Sequence, residues 1–207
     1  MFTSSGYIRR AGTKISLSCF LLRAALICSP TKVVSDSIPT VDRVIQISVD
    51  GLVPSAIQDD DLTPNFGRIR REGAGTDNAR ADYTITQTLP SHISQLTGLP
   101  IEEHGWVIDG YDGSGSLEPY RQNIFDLVSK SPRRGKACMY ASKEKFDLFR
   151  ESFKMDVYVN NKRGNYLVRK LADEMMSDDP CDYAFLHVRE PDAAGHKGSG
   201  TDEGYHA

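Results

Sequence analysis

Tyr183–His196 reads YAFLHVREPDAAGH, and its two halves have different characters. Tyr183–Val188 is a short, mostly apolar run, the mark of a strand buried on both faces. It passes directly into the acidic segment Glu190–His196. Working outward, Arg43–Val49 (RVIQISV) is rich in β-branched residues and stops at Asp50-Gly51, so it reads as a second buried strand followed by a turn. Lys136–Ala141 (KACMYA) is a third, entered from a Pro-Arg-Arg-Gly turn. Helical patterns lie between them. Thr63–Glu72 has a Thr-Pro start, apolar Phe66 and Ile69, and Gly73 beyond its end. Pro90–Thr97 stops at Gly98, and Gln122–Lys130 and Lys143–Arg150 follow. Asn165–Ser177 sets Leu167, Val168, Leu171 and Met175 at helical spacing. Strand–helix alternation of this kind predicts an α/β fold, a mainly parallel sheet with helices on both faces. Ligands of such sheets gather beyond the carboxyl ends of the strands.

The chain has 207 residues, 25 Lys+Arg against 28 Asp+Glu, and a formal net charge of −3. That balance argues against a nucleic-acid scaffold, which carries a strong basic excess. Cys19, Cys28, Cys138 and Cys181 are scattered with no CxxC pair, so neither a disulfide framework nor a cysteine metal site is expected. At the amino terminus Arg9, Arg10 and Lys14 precede the mostly apolar Ile15–Ser29. This is the outline of a secretory signal, interrupted by Arg23 and too short for a membrane span. Residues 1–40 are therefore read as a leader, with a secreted or periplasmic destination expected, and 41–207 as the folded part. Oligomeric state is not legible.

Several segments carry weaker signals. Asp59-Asp60-Asp61 reads as a solvated acidic loop. Asp109–Ser116 (DGYDGSGS) fails as a calcium loop, because Tyr111, Gly113 and Gly115 stand where oxygen ligands are needed. Ser131–Lys136 lacks the first glycine of a phosphate-binding P-loop.

Three places converge on chemistry. Asp50, at a strand's carboxyl end, is well placed as a metal ligand, though Asp-Gly alone is a common turn. Thr88 precedes Pro90, which suits the first turn of a helix, so its hydroxyl lies where backbone N–H groups favour an anion. With a cation to lower its pKa it is a candidate nucleophile; read blandly, Thr88 merely neighbours a helix cap and His92 is a packed helix residue. Asp192 and His196 offer an oxygen and an imidazole four residues apart, a pair that suits zinc, or else they sit on a charged surface loop. Acidic ligands from different strand ends, with a hydroxyl at a helix start, describe metal-assisted displacement at phosphorus or sulfur.

ISVDGL (Ile47–Leu52), TPNFGRIRREG (Thr63–Gly73), TLPSHISQLTGLPIEEHG (Thr88–Gly105) and EPDAAGH (Glu190–His196), in this order and spacing, resemble the nucleotide pyrophosphatase/phosphodiesterase family of the alkaline phosphatase superfamily. The resemblance implies an α/β sandwich holding two divalent metal ions, zinc by type, and a small phosphorylated substrate. It implies Thr88 as the phosphorylated nucleophile and metal contact, Asp50 as ligand of the activating metal, and Asp192 and His196 as ligands of the other. Where family members place an Asn that binds a phosphoryl oxygen, the nearest residue here is Asp109. A carboxylate there repels an anionic substrate unless it is protonated or held by a cation. The family's remaining ligands, an Asp-His pair and a further His, fall well downstream of the EPDxxGH segment. The chain is therefore expected to be the amino-terminal part of an alkaline phosphatase-like domain, with about half the protein ligands. A phosphodiesterase, an inactive remnant, and a phosphomonoesterase or phosphonate hydrolase of the same superfamily are the readings this leaves open.

Overall fold

The structure, a computed structural model, describes residues 41–198. Residues 1–40, read above as a leader, and residues 199–207 lie outside the described residues. Strand β1 (Val44–Val49) is followed by a short 3-10 turn, Pro54–Ile57, and helix α1 (Pro64–Glu72). Helices α2 (Thr88–Thr97), α3 (Ile101–His104) and α4 (Ile124–Ser129) lead to β2 (Ala137–Ala141). A second 3-10 turn, Glu144–Phe146, runs into α5 (Asp147–Ser152), then β3 (Val157–Asn160) and α6 (Gly164–Met175). Strand β4 (Tyr183–Val188) and helix α7 (Glu190–Gly195) complete the described chain.

The four strands form one sheet in the order β1-β4-β2-β3, and every pairing is parallel. All carboxyl ends therefore open on one side of the sheet. The period-2 alternation of a strand divides the core into two layers. Ala137, Met139 and Ala141 of β2, with Tyr183 and Phe185 of β4, pack with Leu89, Ile93 and Leu96 of α2, Phe125 of α4, and Leu148 and Phe149 of α5. The alternate residues, Cys138, Tyr140, Ala184 and Leu186, pack with Leu167 and Leu171 of α6 on the opposite face. Helices thus cover both faces, as the sequence pattern predicts.

Local chemistry explains the boundaries. Helix α2 ends at Gly98, whose φ of 71° is open to glycine at little cost and whose N–H closes on Ser94 O at 2.8 Å. Helix α4 starts from a capping box. The Asn123 side chain accepts from the N–H groups of Phe125 and Asp126, and Asp126 accepts from the Asn123 N–H in return.

Four expectations are corrected. Strand β1 is not buried: it is an edge of the sheet, and Val44, Ile45 and Ile47 are exposed among the described residues. β3, short and only half-buried, was not legible as a strand. Glu190–Gly195 is a helix rather than a loop, with Pro191 in its first turn. Finally, Cys138 and Cys181, 43 residues apart and both fully buried, form a disulfide. Sequence spacing misses such a pair because the register of β2 against β4, not the chain, brings the two sulfurs together. No helix among the described residues is long and apolar enough to cross a membrane.

Candidate active site

Three strands deliver side chains to one point. Asp50 follows β1, and its N–H still pairs with Val188 O at 2.8 Å, which extends the β1–β4 ladder to the last residue before the turn. Gly51 then turns with φ 69°, and a Cβ there would stand 2.6 Å from the Cα of Asp192. Only glycine lets the two acidic segments approach so closely. Lys143, two residues beyond β2, reaches across from the third strand.

The cluster centres on the Lys143 ammonium. Its Nζ donates to Asp50 Oδ2 at 2.5 Å, to Asp192 Oδ2 at 2.7 Å and to Thr88 Oγ1 at 3.0 Å. Thr88, the first residue of α2, donates its hydroxyl to Asp50 Oδ2 at 3.1 Å. The Lys143 side chain is 12% exposed, against 15% for Asp50 and 21% for Asp192, so the charges meet in a largely dry cleft. Burial raises the Asp50 carboxyl, but contact with His187 and the hydrogen bond and charge of Lys143 outweigh it and hold Asp50 well below the usual carboxylate range. Burial lowers the Lys143 ammonium, whereas its bonds to Asp192 and Asp50 raise it, and the result is a raised value.

Two buried histidines lie behind this cluster. His92 Nδ1 donates to Thr88 O at 2.6 Å, which leaves Nε2 to accept from Ser48 Oγ at 2.8 Å. It therefore braces the turn that carries Thr88. Burial, and then the neighbouring His187, lower its pKa to about 4. His187 is fully buried, engages Ser142 Oγ through Nδ1 at 2.9 Å, and points Nε2 toward Asp50 Oδ2 at 3.4 Å. That last approach does not meet hydrogen-bond geometry. It is an electrostatic contact.

Asp50, Thr88 and Asp192 are thus brought together, and the other two expected residues stand apart. Asp109 accepts from the Leu89 N–H at 2.9 Å and pairs with Lys145 Nζ at 2.7 Å. The carboxylate is held by a cation, so the repulsion expected of it is countered on the spot. His196 lies 3.3 Å from Asp192 Oδ1, but its side chain is 82% exposed. His196 stands one turn after Asp192, at the C-cap just beyond Glu190–Gly195. Sequence reasoning missed Lys143 and Lys145. Their signal is Ser142-Lys143-Glu144-Lys145 directly after an apolar strand, a pair of cations leaving a strand's carboxyl end.

Residues 44–126 match the family model described as type I phosphodiesterase / nucleotide pyrophosphatase. That stretch of the chain is similar to this family. The matched stretch contains Asp50, Thr88 and Asp109, whereas Lys143, Asp192 and His196 lie beyond it. Among solved structures, murine ectonucleotide pyrophosphatase / phosphodiesterase 5 is similar at a TM-score of 0.62 with 24% identity, over 79% of this chain and 47% of that one. An inactive Thr-to-Ala variant of the same murine protein, in complex with AMP, gives a TM-score of 0.60 with 23% identity over 75% and 45%. The fold is therefore alkaline phosphatase-like, and this chain spans under half the length of those two structures.

Proposed function

We propose that this chain carries the Thr88-bearing half of a metal-dependent hydrolase acting on phosphodiester or pyrophosphate-type substrates. The observation that carries the reading is the hydrogen bond from Thr88 Oγ1 to Asp50, made at the start of α2 beside a second aspartate. The donor set fits a divalent cation. Oxygens of Asp50, Asp192 and Thr88 already share one cationic partner, and His196 offers an imidazole on the outer side of Asp192. When bound, such ions supply Lewis acidity that favours the Thr88 alkoxide and neutralises charge on phosphoryl oxygens.

The chain's own groups do the rest. The Thr88 oxygen attacks phosphorus, its bond to phosphorus forms as the bond to the leaving oxygen breaks, and the hydroxyl proton is released to solvent. Water then opens the phosphothreonine, restoring the Thr88 hydroxyl and releasing the phosphoryl product. Lys143 and Lys145 put positive charge beside an incoming anion. Two ammonium groups also favour a substrate with an extra negative charge, the observation behind a second reading, a phosphomonoesterase or phosphonate hydrolase. The exposure of His196 supports a third, a form that binds phosphorylated ligands without turning them over.

The buried Cys138–Cys181 disulfide supports an oxidising destination, secreted or periplasmic. The deciding experiment supplies zinc to the protein and follows a chromogenic diester beside a monoester, with Thr88→Ala and Thr88→Ser as controls. Loss of turnover with Ala and partial retention with Ser is expected. Undiminished hydrolysis by Thr88→Ala removes the nucleophile. Phosphate binding without turnover by the parent protein leaves the binding reading.

A further inference from the structure

Lys143 occupies the position that three oxygens define. Its ammonium stands 2.5 Å from Asp50 Oδ2, 2.7 Å from Asp192 Oδ2 and 3.0 Å from Thr88 Oγ1. A divalent ion held by any of these oxygens would claim part of the same space. Two cations cannot share that volume, for steric reasons and because like charges so close repel strongly in a site of low polarity.

The fit of Lys143 is specific. Its carbonyl is pinned by Asn160 Nδ2 at 3.0 Å, and its backbone is extended (φ −128°, ψ 136°) at the entry to the Glu144–Phe146 turn. The backbone is fixed by neighbours on β3, while the long side chain makes all its polar contacts through Nζ. Without a cation, Asp50 and Asp192 would face each other in a mostly buried cleft, where like charges repel. The ammonium removes that repulsion in the metal-free protein.

We propose that Lys143 is the resident counter-cation of the Thr88 site, and that divalent ions reach Asp50 with Thr88, and Asp192 beside them, only by displacing it. This inference rests on the metal-dependent reading above and adds to it an internal competitor. The competitor keeps the nucleophile and both carboxylates arranged before metal arrives, and it lowers the site's apparent affinity for metal. Lys143 therefore sets the metal concentration at which the site loads.

Zinc titration of the full chain against a chromogenic chelator compares the parent protein with Lys143→Met. Removal of the competitor should tighten zinc binding about tenfold or more, in the range of ordinary coupling between ligands. In chelator the variant should melt below the parent, and saturating zinc should close that gap. Asp192→Asn, which loses one of the oxygens, should weaken binding in either background and so identifies the site. Equal or weaker zinc affinity in Lys143→Met overturns the displacement while leaving the metal reading intact. Absence of zinc binding in both proteins overturns the two together. If Lys143→Met does not fold, acylation of the parent protein by an amine-reactive reagent, read by mass spectrometry, decides the matter. Lys143 should be protected in chelator and labelled once zinc is added, and protection unchanged by zinc overturns the proposal.

Discussion

Strands β1 and β4 look alike as sequence: each is a short, mostly apolar run followed closely by an aspartate. In the fold they differ sharply. β4 lies between β1 and β2, is buried along nearly its whole length, and begins two residues after a cysteine bonded to β2. β1 pairs with β4 alone among the described strands and leaves Val44, Ile45 and Ile47 exposed. Yet each delivers an aspartate to the same ammonium. Register carries a side chain to the site whether or not its strand is in the core.

The contrast sets an order of effects. Phe185, fully buried at the centre of β4, should be the most costly to truncate. Phe185→Ala is expected to lose about 3–5 kcal/mol in denaturant unfolding, the usual range for a core aromatic. Removing the staple with Cys138→Ala and Cys181→Ala together should lose about 2–4 kcal/mol by the same assay, since the bond closes a long loop. His92, packed against Phe185, gives a pH test. The unfolded chain takes up its proton near 6.5 and the folded chain near 4, so the stability from burying neutral His92 is whole above 6.5 and is lost as pH falls toward 4. A loss of roughly 3 kcal/mol across that window is expected in the parent, and His92→Gln should flatten it.

Gly51→Ala tests the junction where the two strands' acidic segments meet. The strained turn and the clash with Asp192 should cost about 1–3 kcal/mol in a thermal melt. Ile47→Ala, on the open side of β1, should change stability by no more than about 0.5 kcal/mol. If Ile47→Ala matched Phe185→Ala, β1 would be covered in solution and the contrast between the strands would fail.

The strand–helix alternation was legible because it rests on local pattern. Tyr183–Val188 and Ala137–Ala141 announce themselves by apolar continuity, and Gly98 and Gly73 mark helix ends. The same continuity misled for β1, since an apolar run states that a strand suits burial but not which position in the sheet it takes. Asp50, Thr88 and Asp192 could be found because strand ends and helix starts are themselves sequence features. Lys143 also leaves a strand's carboxyl end, but its meeting with Asp50 and Asp192 depends on the distance between strands far apart in the chain. The course of the Asp192–His196 segment was missed for a simpler reason: a short helix was read as a loop.

The acidic motif itself has a further use. The Glu190 carboxylate accepts the backbone N–H of Gly164 at 2.5 Å, at the first residue of α6, where a Cβ would collide with it. The negative charge there meets the positive end of a twelve-residue helix. Glu190 thus moors the short helix that carries Asp192 to the longest helix of the domain. Within one heptapeptide, the glutamate serves as an anchor and the aspartate as a tool, and a substitution at the former would be felt at the latter without touching it.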